Sequence, residues 1–204
     1  ERASRWGTAA VCIWPDFVRR AASVLSDAPV RVATVVNFPS GAERPFAVGL
    51  VTERALADGA DEIDVVLLYR DFVAGRLDRV SAMLNRVRAA TADRAVMKVI
   101  LETGEIVDLD LVERASRFAI DHGADFIKSS TGKTPVSATL PAIETMLRVI
   151  ADTDRPVGIK PSGGISTADD AAGYLDSAER VMGAGFVSPA TFRFGASGLL
   201  NALL

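Results

Sequence analysis

Short apolar runs alternate along the chain with longer segments in which apolar positions recur every three or four residues. The short runs predict buried strands, and the longer segments predict amphipathic helices. The predicted strands span residues 9–14, 30–36, 63–68, 96–101, 125–129, 157–160 and 191–194. The predicted helices span 16–25, 43–58, 71–90, 109–122 and 140–151, with one that begins after Thr167 and a short last one at 199–203. Seven βα units are therefore expected.

Strict alternation of strands and helices predicts an α/β fold with a parallel sheet. Glycine-rich or functional residues follow many of the strands, which favours a closed barrel over an open sheet that has one switch point. We therefore expect a TIM (β/α)8 barrel that forms a single domain over residues 1–204. The first βα unit is absent from this count, and we expect it to precede residue 1.

Composition narrows the classes of function. The chain has 204 residues, 49% of them hydrophobic, and a net charge of −3. Its basic residues form no stripe, so we expect neither nucleic acid nor membrane as a partner but a small-molecule substrate. The one cysteine, Cys12, lies in an apolar strand and is expected in the core. With no signal peptide and no disulfide, a cytoplasmic location is predicted.

Three lysines, Lys98, Lys128 and Lys160, fall within or at the end of predicted strands. A lysine at a strand end commonly extends to solvent, and that interpretation stays open for each one. Burial lowers the pKa of a lysine amine, and a second ammonium nearby lowers it further. A neutral amine attacks carbonyl carbons and forms a Schiff base. The pattern therefore predicts Schiff-base chemistry at these strand ends.

Loops rich in glycine, serine and threonine follow the last strands, at residues 129–134, 161–167 and 193–198. Glycine allows backbone N–H groups to approach an anion closely, and a helix N-terminus adds its positive end. Late turns of parallel barrels often bind phosphate. Three such loops favour a phosphate site over ordinary turn glycines.

Acidic residues and the single histidine supply further candidates. Asp64, flanked by apolar residues in a strand, should point into the barrel and pair with a lysine, either as a proton carrier or only as an ion-pair anchor. Glu102 could polarise Lys98 or cap the next helix. His122 precedes a helix-ending glycine and is expected to cap that helix. We expect no metal site and no cofactor, since neither a His/Cys cluster nor a dinucleotide motif is present.

Several blocks of sequence, in order, resemble the deoxyribose-phosphate aldolase family. The blocks are GADEIDVV at 59–66, KVILETGE at 98–105, GADFIKSSTG at 123–132, GIKPSGGI at 158–165 and RFGAS at 193–197. Members are class I aldolases on a (β/α)8 barrel. The resemblance implies reversible cleavage of 2-deoxy-D-ribose 5-phosphate to D-glyceraldehyde 3-phosphate and acetaldehyde through a lysine Schiff base.

The resemblance also assigns roles by position. It implies that Lys128 forms the Schiff base, that Lys160 lowers its pKa and assists proton transfer, that Asp64 is the acid/base partner and that Lys98 supports the site. The residues on the family's phosphate-binding turns are Thr131, Gly132, Lys133, Gly163, Gly164, Gly195 and Ser197. The expected partners are phosphosugar and aldehyde substrates, and the expected assembly is a monomer or a weak homodimer.

Two positions depart from the family pattern and leave two other hypotheses open. Ser166 stands where the family usually has arginine, and Gly198 where it has a second serine. Loss of these two contacts would weaken phosphate binding. One alternative is a phosphosugar-binding barrel with impaired catalysis. The other is a Schiff-base aldolase for a non-phosphorylated aldehyde pair.

Overall fold

Strands and helices alternate as the hydrophobic pattern predicts. The computed structural model describes residues 2–204 and contains the strands β1 Ala10–Ile13, β2 Arg31–Val36, β3 Glu62–Val66, β4 Val96–Ile100, β5 Phe126–Lys128 and β6 Gly158–Lys160. The strands are hydrogen-bonded in the order β1-β2-β3-β4-β5-β6, and β1–β2, β2–β3 and β5–β6 pair in parallel. The prediction of a parallel α/β fold is confirmed.

Helices connect the strands and cover their apolar residues. They are α1 Arg2–Trp6, α2 Val18–Val24, α3 Pro45–Ala57, α4 Tyr69–Val73, α5 Leu77–Thr91, α6 Thr103–Ile106, α7 Leu109–Asp121, α8 Leu140–Ala151, α9 Ala168–Met182 and α10 Leu199–Ala202. A 3₁₀ turn, Pro15–Phe17, precedes α2. Over residues 2–204, no helix has the length and apolar character needed to cross a membrane.

The chain divides into two compact units, Glu1–Lys98 and Val99–Leu204. In the first unit β2 lies between β1 and β3, with Ala10 opposite Arg31 and Ala33 opposite Glu62. In the second unit β5 pairs with β6, and Leu101, which follows β4, donates its N–H to the Lys128 carbonyl at 2.9 Å. Strands β2 to β6 are largely buried, since β-branched and other apolar side chains dominate them, whereas β1 is partly exposed.

The predicted helix over 71–90 is two helices, because the chain turns at Gly75. This glycine has φ 73°, a left-handed conformation that interrupts helical hydrogen bonding. Asp71 stabilises the turn. Its backbone carbonyl accepts the Arg76 N–H at 2.9 Å, and its side chain accepts Arg76 Nε–H at 2.7 Å.

The predicted strand at 191–194 is reduced to two isolated bridges beside β6. Phe192 pairs with Ile159, and Gly195 pairs with Ser162. The N–H groups of Thr191 and Phe192 both donate to the Ser188 carbonyl, at 3.0 and 2.8 Å. Because these two N–H groups are used within the turn, they are not available to hydrogen-bond a neighbouring strand. The segment therefore lies beside β6 without forming a regular strand.

The predictions for three side chains outside the sheet interior have different outcomes. Thr167 caps α9 as expected: its hydroxyl accepts the Asp170 N–H at 3.1 Å, and Asp170 accepts the Thr167 N–H at 3.0 Å. His122 is the C-cap of α7, with Nδ1 2.7 Å from the Phe118 carbonyl oxygen.

The prediction that Cys12 lies in the core is wrong. Cys12 is exposed because β1 pairs only with β2 in the described sheet.

Candidate active site

Lys128 and Lys160 end neighbouring strands and lie opposite each other in the β5–β6 register. Paired residues of parallel strands point to the same face of a sheet, and adjacent strands lie about 4.8 Å apart. Only 5% of Lys128 and 7% of Lys160 is exposed. The sheet therefore brings two lysine side chains together in a largely dehydrated environment, and the interpretation that they simply extend to solvent is wrong.

Lys160 is also packed against the last turn of the site. A Cβ atom at Gly195 would lie 3.3 Å from Lys160 Cε and only 2.5 Å from Ser162 Cβ. A side chain at Gly195 would displace one of these groups. Glycine at this position therefore lets the turn at 193–198 lie directly against the lysine.

Lys98 belongs to a buried ionic cluster in the first unit. Its Nζ lies 2.8 Å from Asp64 Oδ1 and 2.6 Å from Glu62 Oε2. Lys98 and Asp64 are completely buried, and Glu62 is 2% exposed. The prediction that Asp64 pairs with a strand lysine is confirmed. Glu62 was missed, although its position two residues before Asp64 in one strand places both side chains on one face.

Two serines hold the ends of β5 and β6 together. Ser129 Oγ–H donates to the Ser162 carbonyl at 3.2 Å, and the Ser162 N–H donates to Ser129 Oγ at 3.0 Å. Ser162 Oγ–H donates in turn to the Ser130 carbonyl. Ser129, Ser130 and Ser162 are all buried. These reciprocal bonds fix the loops that follow Lys128 and Lys160 relative to each other.

Glycine allows the first two loops to touch. Gly132 has φ 70° and Gly163 has φ 83°, a region that other residues rarely adopt. A Cβ atom at Gly163 would lie 3.0 Å from Gly132 Cα and 2.5 Å from Ser137 Oγ. The absence of side chains at these positions therefore creates the close contact between the loops.

The backbone donors of the three loops are not equally available to a ligand. In the first loop the N–H groups of Gly132 and Lys133 donate to Ser130 Oγ at 2.9 Å and Thr131 Oγ1 at 3.1 Å. Among residues 2–204, no acceptor is found for the backbone N–H groups of six positions in the other two loops. These are Gly164, Ile165, Phe194, Ala196, Ser197 and Gly198. The second and third loops therefore hold the free donors that an anion needs.

A resident carboxylate occupies the N-terminus of α9. Asp170 accepts the N–H groups of Ser166 at 3.1 Å and Thr167 at 3.0 Å. The Ser166 N–H, followed by the Thr167 hydroxyl, lowers the pKa of Asp170 below its usual value. Since Asp170 accepts from these N–H groups, this helix end offers a phosphate fewer free donors than its sequence indicated.

The lysine content of the chain is itself informative. Lysine and arginine together number 23, but only four are lysines, namely Lys98, Lys128, Lys133 and Lys160. Three of the four are buried on the sheet, and Lys133 is exposed in the first loop. Arginine supplies all other basic side chains. In this chain lysine is therefore confined to three buried strand positions and to the loop that follows β5.

Within residues 2–204 no group of acidic, histidine and cysteine side chains could hold a metal ion.

Comparison with known proteins identifies the family. The model of the DeoC/LacD family aldolases matches residues 1–203. The chain is 52% identical over 198 residues to the deoxyribose-phosphate aldolase of Agrobacterium fabrum (strain C58 / ATCC 33970), a match that covers 97% of this chain and 76% of the relative.

Solved structures agree with this match. A candidate deoxyribose-phosphate aldolase from Coccidioides immitis has a TM-score of 0.87 and 29% identity, covering 99% of this chain and 76% of that one. The aldolase QR15 has a TM-score of 0.83 and 26% identity, covering 99% and 84%. The tetrameric deoxyribose phosphate aldolase of Aeropyrum pernix, with a TM-score of 0.80, 22% identity and coverage of 99% and 79%, shows likeness of fold alone. The buried lysine pair thus lies in a chain that belongs to the DeoC/LacD family of aldolases.

Proposed function

We propose that the protein is a class I aldolase that reversibly cleaves 2-deoxy-D-ribose 5-phosphate to D-glyceraldehyde 3-phosphate and acetaldehyde. The observation that carries this proposal is the buried, in-register pair Lys128 and Lys160 at the ends of β5 and β6. The identity to the Agrobacterium fabrum enzyme supports the choice of substrate.

In the proposed reaction the Lys128 amine attacks C1 of the open-chain sugar. Loss of water from the carbinolamine gives a protonated imine. A base removes the C3 hydroxyl proton, the C2–C3 bond breaks, and its electron pair moves into the imine to form an enamine. D-glyceraldehyde 3-phosphate leaves, the enamine takes a proton at C2, and hydrolysis releases acetaldehyde and the free lysine.

The neighbouring lysine gives Lys128 its reactivity in this proposal. Burial disfavours the ammonium form, and the positive charge of Lys160 disfavours it further, so both effects lower the pKa of Lys128. A larger fraction of the amine is then neutral near pH 7. Lys160 is also a candidate proton carrier at the carbinolamine and enamine steps.

The ionic cluster of the first unit has a separate part in the proposal. By resemblance to the family, Asp64 is the acid/base group and Lys98 supports it. The short contacts of Lys98 with Asp64 and Glu62 are suited to holding the Asp64 carboxylate in a fixed orientation.

For the phosphate end of the substrate we propose the glycine-rich loops. Free amides at Gly164 and Ser197 and the exposed ammonium of Lys133 are the groups best placed to bind an anion. Thr131, Gly132, Gly163 and Gly195 shape these loops through the contacts that hold them together.

The direct test is to trap the imine. The complete polypeptide is incubated with acetaldehyde and borohydride, which reduces an imine to a stable secondary amine, and the products are located by peptide mapping. We expect one ethyl group, at Lys128. With only four lysines in the chain, Lys133 serves as the internal control, since its exposed amine reports non-specific alkylation. Labelling at Lys133 without labelling at Lys128 would contradict the proposal and favour a binding protein without catalysis.

A second candidate function rests on Ser166. Its side chain is uncharged, and its backbone N–H and hydroxyl are already bound to Asp170 at 3.1 and 3.4 Å, so this position offers a phosphate neither a cation nor a free donor. The alternative is a Schiff-base aldolase that acts on a non-phosphorylated aldehyde pair. Turnover of 2-deoxyribose and of its 5-phosphate separates the two functions. We expect kcat/KM to be at least about tenfold higher for the phosphate ester, since one charge-assisted contact is worth that much. Equal values would favour the alternative.

The order of the strands supports a finer proposal for the fold. Each of β1 to β6 adds beside the preceding strand without reversal, and Phe192 and Gly195 add bridges beside β6. A doubly wound sheet reverses its strand order, whereas a barrel does not. We therefore propose that these strands are part of a (β/α)8 barrel.

Two further expectations from the sequence remain proposals: a monomeric or weakly dimeric assembly, and a cytoplasmic location.

A further inference from the structure

Glu102 is a completely buried carboxylate that has no part in the proposed reaction. It lies between β4 and α6 and has φ 59° and ψ 59°. This left-handed conformation is unfavourable for a residue with a side chain and persists only where surrounding contacts hold it. The contacts of its side chain therefore indicate what holds Glu102 in this conformation.

The backbone places Glu102 beside the end of β5. Its two neighbours each donate an N–H to that strand end: Leu101 to the Lys128 carbonyl and Thr103 to the Ser129 carbonyl, both at 2.9 Å. On the other side, a Cβ atom at Gly104 would lie 2.0 Å from the Val136 carbonyl oxygen. The short turn that carries Glu102 is thus packed between the end of β5 and Val136, which follows the first loop.

The carboxylate accepts hydrogen bonds from three residues of the first loop. Ser130 Oγ–H donates at 2.6 Å, and the Thr131 N–H lies 3.2 and 3.3 Å from the two carboxylate oxygens. The hydroxyl of Thr131 also donates to Oε2. The Thr134 hydroxyl shares its one proton between Oε1, at 3.3 Å, and the Val136 carbonyl oxygen, at 2.9 Å. Residues 130–134 are therefore attached to one buried anion.

Two hydroxyls extend this attachment along the backbone. Ser130 Oγ accepts the Gly132 N–H, and Thr131 Oγ accepts the Lys133 N–H. Because a hydroxyl has a single proton, accepting these N–H groups leaves that proton for Glu102. The amides at 131, 132 and 133 are thus bonded to the carboxylate directly or through one hydroxyl. Successive amides of this kind otherwise form an anion-binding site.

We propose that Glu102 is a positioning residue that acts as the internal anion of the loop at 130–134. It orders this loop in the absence of substrate and keeps the substrate phosphate on the free amides of the other two loops. The Lys133 ammonium is then the one group of this loop that meets the anionic substrate. The kinetic consequence rests on the proposed function, but the effect on loop order does not.

Amide hydrogen exchange, followed by NMR on the ¹⁵N-labelled full chain, tests loop order directly. In Glu102→Gln the amides of 131–133 should exchange at least about tenfold faster than in the wild type, because a neutral amide cannot accept all four donors. Glu105→Gln is the matched control. Glu105 lies on the same turn, is exposed, and should leave exchange unchanged. Wild-type exchange rates in Glu102→Gln would overturn the proposal.

A second variant keeps the test decisive if Glu102→Gln does not fold. Thr131→Val removes one hydroxyl relay and leaves the carboxylate in place. It should accelerate exchange at Lys133 about tenfold and leave Gly132, which is bonded through Ser130, at the wild-type rate. Equal acceleration at the two amides, relative to the wild type, would overturn the proposed pattern of hydrogen bonds.

Kinetics then separate positioning from general loss of structure. Glu102→Gln should raise KM for 2-deoxyribose 5-phosphate about tenfold while acetaldehyde trapping at Lys128 stays within about twofold. Equal loss in both assays would indicate a merely structural role and overturn the proposal. If the wild-type chain itself forms no adduct, the proposed function fails, and the exchange experiment still decides the role of Glu102.

Discussion

Replacing Lys128 with alanine is expected to lower turnover of 2-deoxyribose 5-phosphate by at least about 10⁴-fold, because it removes the amine that is proposed to form the covalent imine. The expected residual rate reflects substrate positioning alone. Single-turnover measurements at saturating substrate, together with borohydride trapping, give the result directly. Trapped adduct at Lys128 should vanish while Lys133 labelling stays at its background level.

The control must distinguish lost chemistry from a damaged sheet. Lys128 is 5% exposed, so alanine leaves unfilled space at the end of β5. Lys128→Met fills that space with an unreactive side chain and should be equally inactive with a near-native melting temperature. Lys133→Met should raise KM for the phosphate ester and still allow labelling at Lys128. Turnover by Lys128→Met above about one per cent of the wild-type rate would exclude Lys128 as the Schiff-base residue.

The strand-end positions of the two paired lysines could be predicted from the sequence because their surroundings are local. Lys128 and Lys160 each end a short apolar run, and glycine-rich loops follow both. Their register could not be predicted in this way. It depends on how β5 and β6 align, and the alignment of two strands joined by a long connection is a tertiary property that neither short run specifies alone.

The acidic residues show where local pattern stops being informative. Glu62 could have been found, since it shares a strand face with Asp64. For Glu102 the sequence indicated a helix cap or a contact with Lys98, but its side chain instead accepts donors located 28 to 32 residues further along the chain. No sequence periodicity links a carboxylate to a loop at that distance. Only the tertiary fold shows it.

The second large effect is expected for Lys160→Leu, which should lower activity at pH 7 by about 10²- to 10³-fold. If Lys160 has its proposed role, removing its ammonium should raise the pKa of Lys128 and leave a smaller fraction of the amine neutral at pH 7. The sign of the pH effect follows: the acidic limb of the kcat/KM profile should move to higher pH, and part of the lost activity should return in alkaline buffer. A pH–rate profile from pH 5 to 10 on both proteins measures this shift.

Lys160→Arg separates the two roles assigned to Lys160. Arginine keeps the positive charge but does not release a proton in this pH range. If Lys160 acts only through its charge, Lys160→Arg should retain the wild-type acidic limb and most of the activity. If Lys160 also carries protons, the limb should stay in place while kcat falls by about 10²-fold. A Lys160→Leu profile that superimposes on that of the wild type would exclude the electrostatic role, since the in-register geometry leaves Lys160 the nearest strand cation to Lys128 within its unit.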